Sequence, residues 1–544
     1  MAESGSGMTA VTGRFTKPMG KKNLPIFPGI WAALGPGIVW AGLSQGSGEL
    51  IWWPYMVAKY GLWFCGWLII WAFMQLWYNQ ELGRYTLLTG EDFYTGAHRI
   101  HHLFGWLTLF LAILMFSWVG GYTGAAASAL TAITGFPPGW DFKNQVRFWA
   151  IILIIAWLVI IFLGPVAYRI VEIVEIIAAF ASFFGMLVAV CVTAEVRAVA
   201  GEFFASLFVP RLGLPPGWDV ADTAVLITLI AYTGAGGIWN TGYSFWVRDK
   251  GFGQAAHIGR VTSPVTGAPE PIPSVGYGFD PTDENMKETK KWTHLLWVDN
   301  CIGVVLNLVT IFLTSMLSYG ILHPAGKWPK GWSLVVVQGE WLGRVFGRAG
   351  EVLMLLLGFF FLADVWLTAG DLFSRIVSTH SYVLRETVEV KEPYKPFLAL
   401  WIPIAIVLAV AAYDPKLPAG MLAGAIAVAL IYSALIIGIL VFAAYKGLEY
   451  RYTYYTVWVA FTIMGITQLF LKAPSTLIVS TGVMSMFVQA IFCTALLYLN
   501  WFLLPKIHPA GEKIRPHWGH FIILLGTTIV WWWLSFWYMA VKLG

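Results

Sequence analysis

The chain has 544 residues, of which 58% are hydrophobic and only 12% are charged. Soluble domains carry about 25% charged residues, so the composition excludes a soluble globular protein and indicates a multi-pass membrane protein. The net charge of +5 is explained by basic residues concentrated in alternate loops and requires no nucleic-acid partner.

Thirteen hydrophobic stretches are long enough to cross a bilayer. They lie at residues 31–58, 61–84, 104–134, 147–164, 168–196, 222–247, 293–322, 347–379, 396–412, 417–445, 453–472, 475–504 and 519–543. Lysine and arginine are more frequent in every second loop, which predicts a cell-membrane protein with a cytoplasmic N-terminus. The loops 197–221 and 323–346 are exceptions, because both carry basic residues on the predicted outer side.

The spans and loops suggest a division of the chain into seven parts. We predict a polar cytoplasmic N-terminus (1–30), a first transmembrane repeat (31–196), a loop with a broken sixth helix (197–249), a cytoplasmic loop (250–291), helices seven and eight (292–395), an inserted hairpin (396–445) and C-terminal helices (446–544). No apolar leader precedes the first span, so no cleaved signal peptide is expected. The four cysteines are far apart and indicate neither a metal cluster nor a disulfide framework.

The first span is interrupted by polar residues near its middle. Gln45, Gly46, Ser47 and Gly48 are followed by the carboxylate of Glu49. An ionisable group at membrane depth costs roughly 2.5–3.5 kcal/mol on insertion scales, and broken backbone is tolerated there only when protein or a water-filled cavity covers it. The pattern therefore predicts a discontinuous helix that carries a solute or ion site.

A second interruption lies five spans later. The segment 232–240 contains Gly236 and Gly237 and ends in Asn240. Interrupted helices at corresponding places in two halves of a transporter indicate inverted repeats with a binding site near the midplane. Glycine is also an ordinary packing residue between membrane helices, and this alternative stays open for the glycines taken alone.

Five further acidic residues lie in or near the predicted spans. Asp364, deep in the eighth span, is predicted to carry a proton, bind an ion or form a salt bridge, because intramembrane carboxylates are rarely without function. Asp299 is expected to bind backbone groups near the break in the sixth span or to make a helix-end or loop contact. Asp371 is predicted to pair with Arg375 one turn later, and Glu172 and Glu175 are interpreted as interfacial ion-pair residues.

Residues 34–90 resemble the Nramp family of divalent-metal transporters. The likeness is carried by Gly35-Pro36-Gly37 at the start of the first span and by Tyr60-Gly61, Gln75, Leu82-Gly83-Arg84 and Thr89-Gly90 around the second. It implies an all-α membrane protein of the leucine-transporter fold type, with 5+5 inverted repeats, broken helices 1 and 6, and 11–13 helices in this chain. It also implies alternating access by a bundle of helices 1, 2, 6 and 7.

The chain departs from the family at the metal ligands. The family's Asp-Pro-Gly-Asn in helix 1 matches residues 46–49, and its Met-Pro-His in helix 6 matches residues 237–239, followed by Asn240. The soft thioether is therefore absent, and oxygen ligands suit Mg²⁺ and Mn²⁺. The resemblance, to a divergent branch that includes magnesium transporters, implies Glu49 and Asn240 as metal ligands, with Gln45, Gly46, Ser47, Gly236 and Gly237 lining the site and Asp299 and Asp364 as coupling candidates.

Two other functions stay open. The run SQGSGE resembles the small-residue stretch with which amino-acid carriers of the same superfamily hold a substrate carboxylate, and a non-transporting receptor or assembly subunit would keep the same fold. No zinc-protease motif, phosphate-binding loop or Ser/His/Asp order indicates an enzyme. The predicted partners are the lipid bilayer and a small cation or organic solute, without a cofactor or nucleic acid.

Overall fold

The computed structural model describes residues 15–387, 391–412 and 419–543. Apart from one pair of two-residue strands, the regular structure of these residues is helical. Strands β1 and β2 are Gly20–Lys21 and Tyr277–Gly278. The first twelve helices are α1 Ile30–Ala33, α2 Pro36–Ser44, α3 Trp53–Tyr60, α4 Leu68–Thr89, α5 Phe93–Ile100, α6 His102–Phe116, α7 Gly120–Thr134, α8 Phe142–Leu163, α9 Ala167–Val192, α10 Ala194–Ser206, α11 Thr223–Ala231 and α12 Ile238–Lys250.

The remaining helices complete the bundle. They are α13 Asp283–Leu317, α14 His323–Ala325, α15 Glu340–Thr387, α16 Tyr394–Ala412, α17 Ala419–Lys446, α18 Tyr450–Leu471, α19 Pro474–Tyr498, α20 Leu504–Ile507 and α21 Trp518–Leu543. Wide π-helical turns occupy Gly48–Trp52, Ser318–Leu322 and Leu499–Leu503. Helix α15 bends at Gly347, whose φ of 57° departs from the helical conformation.

Within the described residues, every hydrophobic stretch predicted to cross the membrane overlaps a helix or two consecutive helices; residues 417 and 418, at the start of the stretch 417–445, lie outside the described residues. Within the described residues, nine helical segments are long and apolar enough to cross a bilayer. The other four are the two broken spans, the polar α4 and the shorter α16. The all-α membrane-protein class is confirmed, and the chain is a multi-pass membrane protein.

The first and sixth spans are discontinuous, as predicted. The first consists of α2, a turn at Gln45–Gly46, the π-helical turn and α3, and the sixth consists of α11 and α12 with irregular backbone between them. The two breaks touch, because a Cβ atom added at Gly48 would collide with the Tyr232 carbonyl oxygen. Two broken helices that lie side by side and five spans apart are the central arrangement of the leucine-transporter fold type.

The N-terminal segment is bound to the loop 251–282 and to the start of α13. Strand β1 pairs in parallel with β2, and the Gln254 amide donates to the Lys22 carbonyl at 2.8 Å. The Leu24 backbone N–H donates to the Asn285 side chain at 3.0 Å. These contacts hold the N-terminal segment against the end of the bundle at which α2 begins and α12 ends. We call this end the N-terminal face.

Candidate functional site

In the first span, one backbone carbonyl beyond the break lacks its hydrogen bond within the helix. Pro54 has no N–H, so it cannot donate to the Leu50 carbonyl one turn earlier in the helix. The Gln338 amide takes its place and donates to this buried carbonyl at 2.8 Å. Since buried backbone carbonyls are almost always paired, Gln338 stabilises the wide turn that contains Glu49.

The break in the sixth span depends on glycine conformations that other residues rarely adopt. Gly234, Gly236 and Gly237 have φ values of 132°, 85° and 54°, and glycine reaches positive φ without a Cβ clash. The helix ends left open by this break bind side chains of α4. Gln75 donates to the Ala231 carbonyl at 3.1 Å, and the Tyr78 hydroxyl donates to the Gly237 carbonyl at 3.1 Å.

Glu49 is completely buried, and neither carboxylate oxygen has a hydrogen-bond partner among the described residues. Its polar neighbours are the Asn307 side chain on α13 and the backbone N–H groups of Gly46 and Glu49; none of them meets hydrogen-bond geometry, and the Asn307 amide oxygen and nitrogen are also unpartnered in that part of the chain. A buried polar group without a partner costs roughly 1–3 kcal/mol, and more when it is charged. The structure therefore holds a costly carboxylate beside a free amide.

Gln45 lies four residues before Glu49, and its side chain also points to α13. Its amide nitrogen donates to Thr310 Oγ1 at 2.8 Å, and its buried oxygen Oε1 has no partner among the described residues. Thr310 lies three residues after Asn307, on the same face of α13. Gln45, Glu49 and Asn307 thus present oxygen atoms between the broken span and α13, and we call these three residues the oxygen cluster.

A small cavity of about 10 Å³ lies between the two breaks. Of the predicted site residues, Gly46 and Ser47 line it. Its other lining residues are Leu43, Ser44, Gly48, Tyr122, Tyr232, Gly234, Ala235, Trp239 and Val365. The volume is far below the roughly 300–1,000 Å³ of ordinary organic-ligand pockets and holds at most about one water molecule, so the two breaks are packed against each other in this conformation.

Asn240 is held by α4 through a chain of amides. Its nitrogen Nδ2 donates to Gln75 Oε1 at 2.7 Å and to Asn79 Oδ1 at 2.8 Å. Its oxygen Oδ1 is buried and has no partner in the described part of the chain. The two predicted metal ligands, Glu49 and Asn240, therefore have different polar neighbours, and Asn240 still has a free oxygen.

Asp299 binds the beginning of the first span. Its carboxylate accepts hydrogen bonds from the Gly35 and Gly37 backbone N–H groups at 2.9 and 2.6 Å and from the Tyr243 hydroxyl at 2.9 Å. A carboxylate at a helix N-terminus satisfies free N–H groups and interacts favourably with the helix dipole. Asp299 thus fixes the start of α2 to α12 and α13.

The interpretation of Glu175 as an interfacial residue is wrong. Glu172 does pair with Lys250, at 2.6 Å, but Glu175 is fully buried and accepts a hydrogen bond from Thr368 on α15. Asp364 lies beside it. Glu175 lies on the face of α9 that packs into the bundle. The spacing between Arg169 and Glu175 in the sequence does not show which face of the helix is buried.

The N-terminal face is closed by buried ion pairs. Arg375 binds Asp371, as predicted, at 2.9 Å and also Asp249 at the end of α12 at 2.8 Å. Arg248 binds Asp92 at 2.9 Å. All of these side chains are at most 4% exposed, so they lock the sixth span to α15 and to the start of α5.

At the opposite end of the bundle, hydrogen bonds join the two broken spans, and a cleft lies beside these bonds. Asp222, before α11, accepts hydrogen bonds from Tyr55, Lys59 and Tyr60 of the first span at 2.7, 2.7 and 2.6 Å. The cleft contains Trp52, Tyr55, Trp118 and residues of α11 and α19. The half-helices α3 and α11 are therefore joined at this face, next to the cleft.

Sequence reasoning missed Asn307 and Gln338. The polar residues Asn300, Asn307, Thr310 and Thr314 recur at intervals of three, four and seven within an otherwise apolar span. This helical period is a signal that could have identified the polar face of α13. No local signal identifies Gln338, because its role depends on a carbonyl 288 residues away in the chain.

We expect Gly48→Ala to destabilise the protein by about 1–3 kcal/mol, the usual cost of inserting a methyl group into a packed site. The added Cβ would meet the Tyr232 backbone, which cannot rotate away as a side chain can. Thermal unfolding of the purified protein measures the effect. Gly526→Ala is the control, because nothing lies within 4 Å of a Cβ at that position; equal unfolding temperatures for both variants would contradict the close contact of the two breaks.

The fold and the geometry define a multi-pass α-helical membrane protein with two adjacent broken helices and buried polar groups at the breaks. No family model matches the sequence, and no curated protein matches it. Among solved structures, a mutant manganese transporter of Eremococcus coleocola is 13% identical, with 97% of this chain and 99% of that chain covered and a TM-score of 0.44. The same transporter in complex with an aromatic bis-isothiourea substituted compound gives the same values. At this identity and TM-score, the likeness assigns neither a family nor a substrate to this chain.

Proposed function

We propose that the chain is a secondary transporter, related to the Nramp family, that moves a divalent cation of the Mg²⁺ or Mn²⁺ type by alternating access. The observation that carries the proposal is the oxygen cluster. A fully buried carboxylate without a hydrogen-bond partner among the described residues lies at a helix break beside Asn307, and Asn307 and Gln45 each have a free amide oxygen. A cation would satisfy all of these groups at once.

The donor set favours a hard cation. Glu49, Gln45, Asn307 and the free oxygen of Asn240 offer carboxylate and amide oxygens, which Mg²⁺ and Mn²⁺ accept. No group of three or more His, Cys, Asp or Glu side chains in the described ranges is placed to hold a metal. A single carboxylate among neutral oxygens favours a partly hydrated and weakly bound ion over a high-affinity cage.

The connections between helices support a rocking motion of the two broken spans. Asp222 joins their outer halves, and Asp299 joins the start of the first span to α12 and α13. The N-terminal face is closed by the Arg375 and Arg248 ion pairs, whereas the cleft lies on the opposite side. Opening the N-terminal face would require these ion pairs to separate.

The alternative is an amino-acid or other organic-solute transporter of the same superfamily. In its favour, Tyr122, Tyr232 and Trp239 line the space beside Ser47 and Gly48, although this space of about 10 Å³ would have to enlarge to admit such a solute. In this function Glu49 would bind an amine. A non-transporting receptor remains the third hypothesis and predicts no uptake of either class of solute.

Uptake by the purified protein in liposomes tests the proposal. We expect Mg²⁺ and Mn²⁺ to be taken up and to compete with each other, with Cd²⁺ gaining no large advantage because soft ligands are missing from the cluster. Isothermal titration should show weak binding of the same ions. A strong preference for Cd²⁺ or Fe²⁺ would contradict the oxygen-ligand argument, and uptake of amino acids without any response to divalent cations would favour the organic-solute function.

A further inference from the structure

A cavity of about 610 Å³ lies on the N-terminal face, between the loop 251–282, the end of α15 and the start of α18. Its volume falls within the roughly 300–1,000 Å³ of pockets that hold small organic ligands. Four basic side chains line it, each from a different segment of the chain, and they are Lys22, Arg260, Arg385 and Arg451. The acidic residues in its lining are Glu270 and Glu449. We call this space the basic cavity.

The charges of the basic cavity do not balance. Two of the four cations are neutralised by the pairs Arg260–Glu270, at 2.5 Å, and Arg451–Glu449, at 2.9 Å. Lys22 and Arg385 form no ion pair among the described residues, and each lies over a tyrosine ring. With His257 neutral, two positive charges in the lining are therefore uncompensated.

Basic residues at one face of a membrane protein have an ordinary explanation, because they orient the chain in the bilayer. That explanation does not require cations to lack partners around a concave surface. Lys17 and Lys21 belong to the same segment as Lys22, and they pair with carboxylates at 2.7 and 2.8 Å. The convergence of two unpaired cations on one cavity therefore favours a bound anion over orientation alone.

The two unpaired cations are held in position by aromatic rings. Lys22 Nζ lies 4.0 Å from the ring centroid of Tyr277, and the Arg385 guanidinium lies 4.4 Å from that of Tyr382. The Tyr450 backbone N–H donates to the Tyr382 hydroxyl at 2.7 Å, which fixes this ring at the start of α18. A cation–π contact positions a long side chain without neutralising it, so less conformational entropy is lost when an anion binds.

The rest of the lining is also well defined. Prolines at positions 269, 271 and 273 line the cavity, and each restricts its own φ angle. The Arg260 backbone N–H and its Nε both donate to Glu270 Oε2, at 2.8 and 3.1 Å. Helix α18 has 22 residues and begins at the cavity with Tyr450, so its dipole adds partial positive charge to that of the two cations.

We propose that the basic cavity binds a phosphate-bearing anion, which is either the headgroup of an anionic phospholipid or a soluble phosphate compound. A phosphate monoester carries about −1.5 to −2 charges near neutral pH, which matches the two uncompensated cations. Arginine and lysine bind phosphate oxygens through charge-assisted hydrogen bonds. The anion would bridge Lys22, after β1, to Arg385 on α15, and would thereby hold the N-terminal face closed. Its binding does not depend on the proposed transport function.

Two probes distinguish the sources of the phosphate. Inorganic pyrophosphate is titrated calorimetrically into the purified full-length protein in metal-free buffer, and native mass spectrometry counts bound phosphatidic acid and phosphatidylcholine. Binding of pyrophosphate without a preference for phosphatidic acid would assign a soluble ligand. Preferential retention of phosphatidic acid without binding of pyrophosphate would assign a lipid headgroup, and binding of both would support the shared phosphate chemistry. Binding of neither probe would overturn the proposal.

Charge-removing variants locate the bound anion. Lys22→Gln and Arg385→Gln should each weaken binding of the effective probe at least about tenfold, because each removes a charge-assisted hydrogen bond. Lys21→Gln is the matched control, since it makes the same charge change at the neighbouring residue, which pairs with Asp280. Equal losses in Lys21→Gln and Lys22→Gln, or full binding in both cavity variants, would overturn the site. If Arg385→Gln does not fold, as judged by size-exclusion chromatography, Lys22→Gln decides alone, because Lys22 is exposed.

Hydrogen exchange tests the bridging of the N-terminal face. The effective probe should slow exchange of backbone amides in residues 251–282 and at the start of α18, and Lys22→Gln should abolish this protection. Unchanged exchange in both segments at a saturating probe concentration would overturn the bridging role. A failure of Mn²⁺ uptake in liposomes would count against the transport function and would leave the binding and exchange measurements unaffected.

Discussion

Glu49→Gln is expected to reduce divalent-cation uptake at least about 30-fold without destabilising the protein. Removing one member of a buried charge interaction costs 2 kcal/mol or more, and 1.4 kcal/mol corresponds to a factor of ten. The glutamine has the same shape but loses the charge that would bind the ion. Uptake of Mn²⁺ into liposomes, measured at several Mn²⁺ concentrations, gives the loss.

The stability of the same variant separates a functional from a structural role. Glu49 is fully buried and has no geometrically complete hydrogen bond among the described residues, so burial of its charge is costly, and the unfolding temperature of Glu49→Gln should equal or exceed that of the wild type. Glu49→Asp keeps the charge and should retain part of the activity. Normal uptake by a folded Glu49→Gln protein would refute the assignment, and Glu195→Gln serves as the exposed control.

In contrast to Glu49→Gln, the variant Arg375→Gln is expected to lose much of its stability. Arg375 is fully buried and pairs with Asp371 and Asp249. Removing one partner of a buried ion pair leaves uncompensated charge and costs about 3–5 kcal/mol. The free energy of unfolding, measured by reversible unfolding in mixed micelles, should fall by this amount.

A control and a double variant make this prediction specific. Arg348 pairs with Glu351 at 2.8 Å, but its side chain is 55% exposed, and surface pairs contribute only about 0–1 kcal/mol. Arg348→Gln should therefore have little effect. Combining Arg375→Gln with Asp371→Asn should recover part of the lost stability, since one unpaired carboxylate is removed; additive losses in the double variant would show that the ion pair is not the cause.

Local sequence patterns predicted the helices and their breaks. Membrane spans are long apolar runs because each must satisfy its own backbone hydrogen bonds in lipid, and glycine clusters mark the positions at which this rule is broken. The predicted interruptions at residues 45–48 and 234–240 therefore coincide with the observed ones. Spacing within one helix also sufficed for the Asp371–Arg375 pair, which lies one turn apart.

The partners of buried polar groups were decided by the tertiary structure. Whether a carboxylate is solvated, paired or isolated depends on residues from other helices, and no local pattern specifies them. The Asp299 side chain binds the start of the first span, 262 residues earlier in the chain. Gln338 donates the hydrogen bond that the Leu50 carbonyl cannot receive from Pro54.

Composition and periodicity determined that this chain is an α-helical membrane protein with two broken spans, because the bilayer imposes those patterns on each segment separately. The packing of the spans decided the rest. It turned Glu175 inward to Asp364, placed Asn307 beside Glu49 and held Asn240 against α4. These contacts join segments far apart in the chain, and their free energies depend on burial and charge that exist only once the helices are assembled.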